Sequence, residues 1–105
     1  MLFDQGTPDP LKQSLPGHEV STAFGRGWSS LKNGELLDVA ERAGYEVFVT
    51  TDSNLKHQQN LTGRKLAIVV LLSTSWPRIQ RIAHRITAAV ESATPGSYEE
   101  IEVPR

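Results

Sequence analysis

The run Leu66-Ala67-Ile68-Val69-Val70-Leu71-Leu72 carries no polar side chain. It is far too short to cross a bilayer. Strands buried on both faces read this way, and they belong to parallel sheets covered by helices. Parallel neighbours cannot be joined by a tight turn. The rest of the chain must therefore supply crossover connections, alternating strand and helix.

It does so. Leu2-Phe3 is a short first strand, and Thr7-Pro8 opens a short helix running to about Leu15. Pro16-Gly17 ends that helix, and His18 to Thr22 reads as a second strand. Ala23 to Lys32 is rich in Gly and Ser and reads as a loop. Asn33 is a candidate N-cap for a helix whose stripe is Leu36, Leu37, Ala40 and Ala43, with Gly44 closing it. Tyr45 to Thr51 is the third strand, rich in β-branched and aromatic residues. Ser53 or Asn54 caps a short helix reaching about Asn60. After the Leu66–Leu72 strand, Ser75 and Pro77 open a last helix. Its stripe is Ile79, Ile82, Ala83, Ile86, Ala89 and Val90. Pro95-Gly96 breaks it, and Tyr98 to Val103 alternates as a half-exposed edge strand. The expected fold is a single α/β domain over residues 1–105, with a mostly parallel sheet and helices on both faces.

The chain has no cysteine, which excludes disulfides and thiolate metal sites. The start Met1-Leu2-Phe3-Asp4-Gln5-Gly6 lacks the basic and apolar regions of a secretory signal. These features fit a soluble, cytoplasmic protein. Charge is unevenly placed. Residues 1–52 hold eight Asp/Glu and four Lys/Arg, whereas residues 53–90 hold six Lys/Arg and no acid. A basic segment of this kind attracts phosphates. Arg78, Arg81 and Arg85 equally suit an ordinary solvated helix face.

Two strands run straight into an aspartate: Leu2-Phe3 into Asp4, and Val47-Phe48-Val49-Thr50-Thr51 into Asp52. In a right-handed βαβ arrangement, strand C-termini and the following helix N-termini share one sheet edge, where open sheets place their ligands. Glu35, in the first turn of the helix after Asn33, projects toward that edge, and Asn54 and Asp9 can join it. Three carboxylates together repel one another unless a cation neutralises them. Hard divalent cations, Mg²⁺ or Mn²⁺, suit such oxygen ligands. They support phosphodiester hydrolysis by activating water and stabilising a phosphoryl oxygen. Taken singly, each acid has a plainer reading: Asp4 and Asp52 as turn or helix caps, Glu35 as a charge favoured at a helix N-terminus.

Lys56, Arg64, Arg78 and Arg81 are candidate phosphate contacts. Arg26 and Trp28 lie in the segment Gly25-Arg26-Gly27-Trp28 and form a candidate flap or base-stacking contact. Trp28 as a loop anchor on the core is the competing reading. That segment lacks the lysine-serine or lysine-threonine pair of a phosphate-binding loop. His18, His57 and His84 show no metal-ligand spacing, and Ser29 and Ser30 have no identifiable triad partners.

On the motifs Leu2-Phe3-Asp4, Asn33-Gly34-Glu35-Leu36-Leu37 and Val49-Thr50-Thr51-Asp52-Ser53-Asn54-Leu55, the chain resembles the PIN-domain superfamily, in particular its small bacterial PIN-like members. The resemblance implies a three-layer α/β/α sandwich and an Mg²⁺- or Mn²⁺-dependent endoribonuclease, often the toxin of a toxin–antitoxin pair. By position it makes Asp4, Glu35 and Asp52 the catalytic, metal-binding acids. Asn54 stands where many relatives carry a further acid, and an amide adds no negative charge. RNA and an antitoxin protein are the partners implied. The other class of reading is a PIN-like module without catalysis, binding RNA or protein. The Tyr98–Val103 edge is able to pair with a second copy, against which Glu99, Glu100 and Glu102 act as guards.

Overall fold

In the computed structural model, which describes residues 1–105, every strand pairing is parallel. The strands are β1 (Leu2–Phe3), β2 (Ser21–Thr22), β3 (Val47–Thr50), β4 (Ala67–Leu71) and β5 (Tyr98–Ile101), in the order β2-β1-β3-β4-β5. β4 is buried at all five positions, as its unbroken apolar run requires. The connections are a 3-10 helix (Asp9–Ser14), α1 (Asn33–Arg42), α2 (Leu55–Gln58), and the pair α3 (Trp76–Arg81) and α4 (Ala83–Ser92).

Successive strand residues point to opposite faces, and the core divides accordingly. Phe3, Val49, Val69, Leu71 and Ile101 pack with Leu11, Leu15, Ile79, Ile82 and Ile86. Leu2, Phe48, Ile68 and Val70 pack with Leu36, Leu37, Ala40 and Leu55. The 3-10 helix, α3 and α4 therefore contribute to one apolar cluster, and α1 and α2 to the other. No helix is long and apolar enough to cross a membrane.

Most expected elements are shorter than their sequence bounds, the third strand running Val47–Thr50 rather than Tyr45–Thr51 and the helix after Asn54 ending at Gln58. The second strand shortens from His18–Thr22 to Ser21–Thr22, and the last from Tyr98–Val103 to Tyr98–Ile101. The single closing helix is two: Ile82 leaves the helical region (φ −115°, ψ 20°), while Ile79, Ile82 and Ile86 stay in one cluster. Asn33 is the first residue of α1 rather than its cap, and its side chain is committed elsewhere.

Strand order fixes where a crevice can open. From β1 the chain moves outward to β2, then returns to place β3 on β1's other side. Beyond the carboxyl ends of β1 and β3, the connecting segments diverge toward opposite faces.

Candidate functional site at the carboxyl edge

Asp4 follows β1 and Asp52 lies two residues past β3, so both stand at that crevice. The Asp4 backbone N–H still donates to Val49 O at 3.1 Å, extending the β1–β3 ladder by one bond. The chain then turns sharply through Gly6. A Cβ there would come within 2.5 Å of Thr51 Oγ1, so a larger residue would force that side chain to move.

Hydroxyls and amides organise the two carboxylates. Thr7, itself buried, directs its hydroxyl at Asp4 Oδ1 (2.8 Å) and Val49 O (3.0 Å). Thr50 is 1% exposed. Its hydroxyl donates to Asp4 Oδ2 and accepts the Asp52 backbone N–H at 3.0 Å. One hydroxyl thus links both aspartates. Asp52 Oδ2 accepts from Asn33 Nδ2 at 2.8 Å, and Oδ1 accepts the Asn54 N–H at 2.9 Å. Neither carboxylate has a basic partner.

Glu35 does not join them. Its Oε1 turns back to accept the Lys32 N–H at 3.2 Å, capping the start of α1. No group of three or more His, Cys, Asp or Glu side chains is gathered closely enough to hold a metal ion. The expected three-acid cluster is accordingly absent, because local capping occupies the third acid. Asn54 contributes a backbone N–H to Asp52, and its side chain is exposed. Asp9 lines the cleft beside Asp4, with its carboxylate 3.8 Å from Lys12 Nζ.

The basic candidates separate by edge. Arg78 and Arg81 are exposed on α3, directly after the carboxyl end of β4, and have no acidic partner. Lys56, on α2, lies at the same edge but is 2.9 Å from Glu100 Oε2. Arg64 precedes β4 at the opposite edge, clamped to Asp38 (2.9 Å) and Glu41 (3.6 Å) of α1. Its expected role as a phosphate contact is replaced by tying a loop to a helix. Arg26 lines a cavity at the amino edge, and Trp28 packs beside it against Tyr45. The Arg26 guanidinium lies 4.4 Å from the Trp28 ring centroid and donates to Tyr45 Oη at 2.8 Å; Trp28 meets Tyr45 edge to face. They form a loop anchor, with the flap reading set aside because their partner Tyr45 precedes β3.

Pattern reading passed over several polar groups, in the crevice and beyond it. Tyr98 Oη donates to Glu100 Oε2 at 2.8 Å. Burial pushes the Tyr98 phenol up to about 12, helped by the Glu100 hydrogen bond and charge and by the charge of Asp52. The Lys56 hydrogen bond, then that of Tyr98, holds the Glu100 carboxyl below its ordinary value. Thr7, Thr50 and Asn33 read as cap or strand residues in sequence; their role follows from the β1–β3 pairing. An open cleft of about 710 Å³ lies at Asp4, lined also by Thr7, Thr22, Phe24, Thr74 and Trp76. A second cavity, about 1070 Å³, opens at the amino edge and includes none of the candidate acids. The topology and the carboxylate network favour the smaller one as the site.

Compared with protein-family models, with curated proteins and with solved structures, the chain matches none. The functional reading therefore rests on the residues themselves.

Proposed function

We propose that the chain is a PIN-like endoribonuclease whose site is the β1–β3 crevice, with Asp4 and Asp52 as its working acids and Mg²⁺ or Mn²⁺ as its cation. The observation that supports this most is the pair of aspartates at the ends of adjacent parallel strands, joined through the Thr50 hydroxyl. The donor set fits a hard divalent cation. Mg²⁺ is commonly held by one or two carboxylates, with water and substrate phosphate completing its shell. Asp4 and Asp52 accept bonds from neutral donors only and keep lone pairs free. When bound, the cation supplies Lewis-acid stabilisation of a phosphoryl oxygen. Thr50, Thr7 and Asn33 orient the two carboxylates. The unpaired Arg78 and Arg81 are suited to holding the RNA backbone.

The reading without catalysis is favoured by one observation. Glu35 is engaged with the Lys32 amide, which leaves two acids where three were expected. Cleavage of a mixed RNA substrate separates the two readings. Wild type and Asp52→Asn are assayed with Mn²⁺, Mg²⁺ or EDTA, with circular dichroism confirming the fold. Metal-dependent cleavage lost in Asp52→Asn supports the nuclease. Folded wild type that retains RNA equally in EDTA and cleaves it under no condition supports the binding module.

A further inference from the structure

Phe24 is 78% exposed, by far the most exposed large apolar side chain of the protein. The ring is not on a slack loop. The Ala23 N–H donates to Phe3 O at 2.8 Å, the Gly27 N–H to Phe24 O at 3.0 Å and the Trp28 N–H to Ala23 O at 2.8 Å. Phe24 lines the same open cleft of about 710 Å³ as Trp76, the half-buried first residue of α3. The only charged side chains lining that cleft are Asp4 and Asp9; no lysine, arginine or histidine does. The Asp4 carboxylate accepts from the Thr7 and Thr50 hydroxyls, neutral donors that leave its charge intact. The Asp9 side chain is 73% exposed, and Lys12 Nζ is 3.8 Å away, three residues along. An exposed pair of this kind neutralises little. Two aromatic rings and two carboxylates therefore share one lining.

Such a lining selects by charge. An anion meets two carboxylates and no cation. An uncharged apolar molecule covers the carboxylates without pairing them, which costs free energy. A bare metal ion makes no use of the rings. An alkylammonium suits every part: its charge pairs with a carboxylate or sits over an aromatic face, and its methylenes lie along apolar surface. The cleft has the volume of a small-molecule site, and two carboxylates call for more than one ammonium. We propose that the cleft binds a linear aliphatic polyamine, with Phe24 and Trp76 against its methylenes and ammonium groups and Asp4 and Asp9 as counter-charges. Asp4 is shared with the nuclease reading, whereas Asp9, Phe24 and Trp76 have no part in it, so the polyamine site does not depend on that reading.

The test is isothermal titration calorimetry with spermidine, in EDTA, at fixed ionic strength and without RNA. Wild type is expected to bind spermidine and not hexanediol, an alkyl chain without the charges. Phe24→Ala removes almost no buried surface and is expected to keep the wild-type melting temperature. It is expected to weaken spermidine binding about 2- to 30-fold, the worth of one cation–π contact. Asp9→Asn is expected to weaken it about 2- to 5-fold, the worth of an exposed ion pair. Tryptophan emission is the second readout. Spermidine changes the emission of wild type, and Trp76→Phe abolishes the response, since the remaining Trp28 is closed off by Arg26 and Tyr45. Wild-type affinity in both Phe24→Ala and Asp9→Asn overturns the site. Folded wild type that binds no spermidine overturns it too, and a response to oligolysine in its place gives the rings to a protein partner. RNA cleavage is read in a separate assay, so the nuclease reading stands or falls independently of these results.

Discussion

Replacing Thr50 with valine keeps the shape of a side chain that is 1% exposed and deletes its hydroxyl. The loss falls on both aspartates: Asp4 Oδ2 loses a donor, and the Asp52 N–H loses its acceptor. A hydrogen bond to a charged group contributes about 1.5–3 kcal/mol, and an amide left unpaired costs at least about 1 kcal/mol more. The added methyl recovers about 0.8 kcal/mol of burial. The expected net loss is about 2–3 kcal/mol. For a domain of this size that is a fall in melting temperature of roughly 8–24 °C. Urea unfolding followed by circular dichroism measures it, with an unchanged m-value showing that only stability moved. Thr50→Ser is the control. It keeps the hydroxyl, loses a methyl, and is expected to cost only about 1 kcal/mol. A double-mutant cycle with Asp4→Ala isolates the pairwise coupling, expected at about 0.5–3 kcal/mol. The reasoning fails if Thr50→Val lies within about 0.5 kcal/mol of wild type, if Thr50→Ser costs as much, or if the cycle shows no coupling. Thr50 would then be a strand residue that merely touches two acids.

Arg64→Ala is expected to lower stability by about 1–3 kcal/mol in thermal melts, because Asp38 and Glu41 lose a shared partner that is only 17% exposed. The same variant is expected to bind RNA as wild type does, in contrast to Arg78→Ala. Tyr98 favours its neutral form in the fold, since its pKa rises from 10.0 to about 12. Its stabilising effect is therefore complete below pH 10 and lost as pH rises toward 12. Ultraviolet phenolate titration is expected to show Tyr98 ionising late, and earlier in Glu100→Gln, though burial remains; identical curves would remove Glu100 from the explanation. Glu35→Gln keeps an oxygen for the Lys32 N–H and removes the charge. If Glu35 only caps α1, unfolding assays show a cost of about 0.3–1 kcal/mol and metal-dependent cleavage persists; cleavage abolished at unchanged stability would return Glu35 to the site.

What pattern reading recovered, and where it stopped, follows from the range of the interactions involved. The apolar run in β4, the strand endings at Asp4 and Asp52 and the stripe of α1 are local, period-driven features. Parallel pairing then brings Asp4 and Asp52 to one edge without further information. Glu35 was misplaced because position in a first helical turn leaves two outcomes open. A carboxylate can face the sheet edge or fold back to the amide three residues earlier, and here the nearer donor captures it. Arg26 and Arg64 take other partners for the opposite reason, whereas Trp28 takes the loop-anchor place that its sequence equally allows. Their partners Tyr45, Asp38 and Glu41 are between 17 and 26 residues away in sequence, and nothing in the Gly-rich segment reveals a return to the amino edge. Phe24 had no pattern to announce it, because an exposed aromatic in a loop breaks no periodicity.

The contrast between the two sheet edges is itself an electrostatic argument for the carboxyl edge. At the amino edge two of the candidate cations are engaged, Arg64 by Asp38 and Glu41 and Arg26 by two aromatic rings. At the carboxyl edge, Asp4 and Asp52 are held by hydroxyls, an amide side chain and a backbone N–H, none of which cancels a full charge. Arg78 and Arg81, exposed on α3, have no anion. The fold thus leaves negative charge uncompensated in the crevice and positive charge uncompensated on the helix that follows β4. A ligand that brings cations to the first and phosphates to the second satisfies both at once. RNA with a bound divalent ion has that pattern of charge, and an uncharged small molecule does not.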